Sequence, residues 1–107
     1  MVTAPLWEPP RDARSRSRMG RFLAQMEEHY GVSLATHEAA WAWSIDHLDE
    51  FWGQVVDQFG IRFLNAPTAV LASRELPGAR WFPGATLNYA EAVLAAPGVS
   101  DEDPIVW

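Results

Sequence analysis

Apolar side chains recur at helical spacing between about Ala13 and Tyr30. They lie three and four positions apart, which places them on one face of a helix. Gly31 follows this stretch and suits a helix end, because glycine readily adopts a left-handed backbone. We therefore predict a helix over residues 13–30 that packs against a core. The apolar members of its stripe are Met19, Phe22, Leu23, Met26 and Tyr30.

A second helix is predicted from Thr36 to about Ile45. The Thr36 hydroxyl can cap the first turn of this helix. Trp41 and Ile45 lie four residues apart and share one face, whereas Trp43 points elsewhere. Trp43 is therefore the better candidate for contact with another surface.

The third predicted helix begins near Asp46 and ends at Gly60. Asp49 and Glu50 place negative charge in its first turn, where the helix dipole favours it. A broad apolar stripe follows, which indicates packing on a core. The members of this stripe are Phe51, Trp52, Val55, Val56 and Phe59.

The second half of the chain alternates short extended segments with turns. Residues 61–64 are predicted to be extended, and Pro77-Gly78 and Pro83-Gly84 each mark a turn. Arg80 to Phe82 is also predicted to be extended, because Pro83 disfavours helical backbone at the residue before it.

Asn88 suits the N-cap of a fourth helix, and Glu91 completes an Asn-x-x-Glu capping pattern three residues later. This helix is predicted to stop at Pro97-Gly98, and residues 105–107 have the composition of a strand. We therefore expect a mainly α fold. It is a small module of about four helices with short extended segments, and it ends at the start of a strand.

Composition narrows the range of functions. A chain of 107 residues forms one domain or a piece of one, and its apolar fraction of 49% supports a packed core. Six residues are Trp, which is a residue type enriched at interfaces. The sequence contains neither Cys nor Lys. Disulfides, thiolate metal sites, a Walker A loop and lysine-dependent chemistry are therefore excluded within this chain.

Charge is distributed unevenly. Residues 1–21 carry five Arg and two acids, whereas the other residues bring the net charge of the chain to −6. An acidic body argues against nucleic acid as a partner, and the basic stretch is interpreted as a solvated helix face. No apolar run approaches the ~20 residues that a membrane-spanning helix needs. We expect a cytoplasmic protein that binds neither nucleic acid nor membrane.

The titratable residues form no catalytic constellation. His29, His37 and His47 are far apart in the sequence, and none has a partner at metal-ligand spacing. The acidic residues near His47 have the pattern of charge at a helix start. No catalytic, cofactor-binding or metal-binding residue is predicted.

Three segments resemble the N-terminal region of the AMP-forming acetyl-CoA and acetoacetyl-CoA synthetases. They are Leu6-Trp7 with the helix that follows, the stretch from Phe51 to Phe63, and Pro77 to Glu91. The third segment is the most specific. Its sequence from Ala85 to Glu91, Ala-Thr-Leu-Asn-Tyr-Ala-Glu, resembles that of the acetoacetyl branch.

The resemblance implies a domain organisation. Residues 1–12 are an extended lead, 13–87 a helical domain of the acetyl-CoA synthetase N-terminal type, and 88–107 the first helix and first strand of a larger α/β adenylating domain. The chain would then be a fragment whose partners are the missing adenylating and C-terminal domains of the same polypeptide.

The resemblance also implies a function. The parent would be an acetoacetate–CoA ligase of lipid metabolism that uses ATP, Mg²⁺ and CoA and forms an acyl-adenylate. This fragment would bind no cofactor, would be inert alone, and would brace the large domain. The structural or interface candidates are Trp52, Phe59, Arg80, Trp81, Phe82 and Asn88. The alternatives are a CoA-entrance or subunit contact by Trp43 and Arg80, and a free-standing helical module that binds a protein partner.

Overall fold

The computed structural model describes residues 4–94. These residues contain five α-helices and a two-stranded antiparallel sheet, which confirms the mainly α expectation. The chain divides into two compact units, one ending at His47 and the other beginning at Leu48.

The first unit contains three helices, α1 (Ala13–Arg16), α2 (Arg18–Tyr30) and α3 (His37–Asp46). The prediction of one continuous helix over residues 13–30 was wrong at Ser17. The backbone of Ser17 is extended, and its hydroxyl oxygen accepts a hydrogen bond from the Gly20 amide at 3.0 Å. Serine favours this N-cap geometry, so a new helix begins after it. Gly31 ends α2 with φ of 66°, as predicted.

The core of the first unit is small. Among the described residues, Phe22, Met26 and Leu34 are the buried hydrophobic side chains. Gly20 is buried as well. A Cβ atom at this position would collide with the backbone carbonyl of Arg14 in α1. The absence of a side chain at Gly20 therefore lets α1 and α2 approach closely. Met19 was predicted to join the apolar stripe but is 64% exposed, so that assignment was wrong.

The side chains of Arg14 and Glu27 bind the backbone of Leu34 and so hold the segment after α2 in place. The Arg14 guanidinium lies 2.8 Å from one carboxylate oxygen of Glu27, and the Leu34 amide donates to the other at 2.6 Å. Arg14 also donates to the Leu34 carbonyl oxygen at 3.0 Å. Glu27 and Arg14 thus satisfy both backbone groups of Leu34 and hold its side chain in the core. The Leu34 amide first, and the Arg14 side chain second, lower the pKa of Glu27.

Helix α3 begins at the predicted cap. The Thr36 hydroxyl accepts a hydrogen bond from the Ala39 amide at 3.1 Å. Trp43 was predicted to be the better candidate for contact with another surface, but the structure packs it against neighbours within the first unit. Its ring lies 5.1 Å from that of Tyr30 and stacks on that of His47 at 4.8 Å, whereas Trp41 is 59% exposed. The end of α2 supplies an aromatic neighbour that helix periodicity alone does not reveal.

The second unit contains α4 (Leu48–Gln58), β1 (Leu71–Ser73), β2 (Arg80–Trp81) and α5 (Tyr89–Leu94). Helix α4 starts at Leu48, because α3 continues to Asp46. Its first turn carries the two predicted acids, Asp49 and Glu50. It ends two residues before Gly60, which has φ of 59°.

Only some of the predictions for the last 20 residues fall within the described part of the chain. The Asn88 side-chain oxygen accepts a hydrogen bond from the Glu91 amide at 3.2 Å, which confirms the predicted cap of α5. The helix stop at Pro97-Gly98 and the strand at residues 105–107 lie outside the described residues.

The contacts of Glu27 predict a pH-dependent stability. Because its pKa is lowered on folding, its contribution is present above the pKa of an unfolded Glu and is lost as pH falls through the lower folded value. We expect Glu27→Gln to reduce stability at pH 7 and to flatten its decline in this acid range. Thermal unfolding followed by circular dichroism from pH 7 to pH 3 measures both effects.

The control for this prediction is Glu28→Gln, which removes an exposed carboxylate one position away and keeps the contacts among Arg14, Glu27 and Leu34. A wild-type protein and a Glu27→Gln variant with parallel pH profiles would contradict the assigned role of Glu27.

Candidate interaction site

The segment from Arg80 to Thr86 is hydrogen-bonded along its length to residues 64–73. Strand β2 pairs with β1 in antiparallel register, with Trp81 opposite Leu71 and Arg80 opposite Ser73. The pairing continues beyond the strands through four backbone hydrogen bonds. These are Phe82 amide to Val70 carbonyl at 2.8 Å, Thr68 amide to Pro83 carbonyl at 3.0 Å, Leu64 amide to Thr86 carbonyl at 2.7 Å, and Thr86 amide to Asn65 carbonyl at 3.4 Å. The central part of the motif from Pro77 to Glu91 is therefore held by backbone hydrogen bonds to another segment of the chain.

A tight turn interrupts this pairing at Pro83-Gly84. The Ala85 amide donates to the Phe82 carbonyl at 3.0 Å, and Gly84 has φ of 81°. Proline followed by a residue with positive φ is the pattern of a type II turn. The Thr68 hydroxyl also donates to the Pro83 carbonyl, at 3.3 Å, which ties the turn to the opposite segment.

Phe82 departs from the predicted extended backbone. Its φ is 43°, in the left-handed region that bulky residues rarely adopt. The following proline disfavours right-handed helical backbone at Phe82, which was the basis for predicting an extended one. Hydrogen bonds at the Phe82 amide and carbonyl hold this conformation, and its ring lies 5.8 Å from that of Phe63. The pairing and the ring contact together compensate for the backbone strain.

An aromatic row links α4 to this segment. The Trp52 ring meets Phe51 at 5.5 Å and Trp81 at 5.9 Å, both edge to face. Trp81 in turn lies 6.4 Å from Phe82. Trp52 and Trp81 remain 41% and 40% exposed, so each presents an indole face or edge beyond the contacts within the unit. Such half-buried aromatics are suited to packing against a further surface.

The structure brings together three of the six predicted candidates. Trp52, Trp81 and Phe82 belong to the aromatic row, and Arg80 lies beside them on β2 with an exposed side chain. Phe59 lies at the end of α4 and is 65% exposed. The sixth candidate, Asn88, caps α5. Phe63 was missed as a candidate, although an aromatic residue inside a short extended segment was a usable signal.

Across residues 4–94, no three His, Asp or Glu side chains are grouped so that they could hold a metal ion. In the same range, none of the helices has the length and apolar character that crossing a bilayer requires. The side chains of His29, His37 and His47 are exposed.

Comparison with known proteins identifies similar chains. A family model described as the N-terminus of acetyl-coenzyme A synthetase matches residues 37–93. A malonamoyl-CoA synthetase of Penicillium aethiopicum is 37% identical over 91% of this chain and 14% of its own length. An acetoacetyl-coenzyme A synthetase of Rhizobium meliloti is 33% identical over 91% of this chain and 15% of its own.

A solved structure is also similar. The acetoacetyl-CoA synthetase from Streptomyces lividans matches with a TM-score of 0.76 and 44% sequence identity, over 83% of this chain and 14% of its own. The chain therefore spans about one-seventh of the length of the relatives that it matches.

The turn at Gly84 generates a prediction. We expect Gly84→Ala to destabilise the second unit by about 1–2 kcal/mol, because a residue with a Cβ is strained at positive φ. No atom lies within 4 Å of the added Cβ, so a steric clash would not contribute. Urea unfolding followed by circular dichroism measures the change.

Gly53→Ala is the matched control for Gly84→Ala. Gly53 lies inside α4, and its added Cβ would meet Val70 Cγ2 at an ordinary 3.5 Å. Alanine is the better helix former by ~1 kcal/mol, so stability should stay level or rise. Equal losses in the two variants would refute the argument from backbone conformation.

Proposed function

The chain belongs to the family described as the N-terminus of acetyl-coenzyme A synthetase, and on that premise we propose that it is the non-catalytic N-terminal portion of an acetoacetate–CoA ligase. The observation that carries the proposal is the 44% identity to an acetoacetyl-CoA synthetase whose structure matches this one with a TM-score of 0.76. The parent enzyme joins acetoacetate to CoA.

The proposed reaction has two steps. The carboxylate of the acid attacks the α-phosphate of ATP, which forms an acyl-adenylate and releases pyrophosphate. The CoA thiol then attacks the acyl carbonyl carbon, which forms the thioester and releases AMP. The relatives are named for acetoacetyl and malonamoyl groups, which both carry a second carbonyl at carbon 3. This shared chemistry supports a short acid with a carbonyl at carbon 3 as the substrate class.

We assign the chemistry of the ligase to the rest of the parent polypeptide. The chain has no Lys, so any lysine-dependent adenylation step takes place outside it. On this proposal, ATP, Mg²⁺ and CoA bind to the adenylating and C-terminal domains. The contribution of this chain is mechanical: the paired segment 80–86 and the aromatic row beside it pack against the larger domain.

A second candidate function is a free-standing module that binds a protein partner. It is favoured by the exposure of large apolar side chains in both units, such as Trp41 at 59% in the first and Phe59 at 65% in the second. Patches of this kind mark interaction surfaces. Such a module would have no ligase activity, so the two functions differ in both product size and chemistry.

The size and activity of the native gene product test the proposed function. We expect an intact mass several times the 12.0 kDa of this chain. The purified product should form acetoacetyl-CoA only when acetoacetate, ATP and CoA are all present, with AMP and pyrophosphate as co-products. Chromatography of thioester and nucleotide measures this. A native product of 12 kDa without ligase activity would reject the proposal and favour the binding module.

Trp81→Ala tests the structural role of the aromatic row. A fully buried Trp costs ~3–5 kcal/mol on truncation, and Trp81 retains 40% exposure. We therefore expect a loss of about 1–3 kcal/mol and a lower Tm for the full gene product, with KM for ATP and acid unchanged. Trp81→Phe keeps a ring beside Trp52 and should restore most of the stability. An unchanged Tm in Trp81→Ala would contradict the bracing role.

A further inference from the structure

We draw no further inference here: the strongest candidate, the exposed apolar face that Trp41 and Ile45 form on α3 of the first unit, carries none, because nothing in the structure shows what covers it.

Discussion

Scarce burial is the constraint on which the rest of this structure depends. Among residues 4–94, the buried hydrophobic side chains are Phe22, Met26 and Leu34, and all three lie in the first unit. A small core supplies only a few kcal/mol against the entropy of ordering the chain. Specific hydrogen bonds therefore determine where several segments of the chain lie. Arg14 and Glu27 hold Leu34 in the first unit, and backbone pairing holds residues 80–86 in the second.

The same constraint explains the residues of the most recognisable motif. From Arg80 to Thr86, each requirement is geometric. Strand residues pair with β1, Pro83 and Gly84 form the turn, and Phe82 adopts positive φ while its ring packs near Phe63. Few residue types meet these requirements together. A motif of this kind is therefore specified by the structure that it forms.

Local signals in the sequence predicted much of the fold. Helical periodicity located α2 and α4, and the caps at Thr36 and Asn88 located α3 and α5, because these signals act within one or a few turns of the chain. The errors arose where residues distant in the sequence determine the burial of a side chain or the conformation of the backbone. Trp43 is half-buried because Tyr30 lies beside it, and Phe82 is left-handed because Val70 and Ala85 bond its backbone. The exposure of α5 could not be predicted either, since it depends on which surfaces the chain leaves uncovered.

For the candidate site, the sequence predicted the members better than their arrangement. Trp52 and Trp81 were singled out from different elements, yet only the pairing of β2 with β1 brings their rings to 5.9 Å. Their partial exposure then has a physical interpretation. A neighbouring surface that covered the exposed part of these rings would add hydrophobic stabilisation. In the proposed ligase that neighbouring surface is the larger domain, and the influence of this chain on acyl-CoA synthesis would act through that packing.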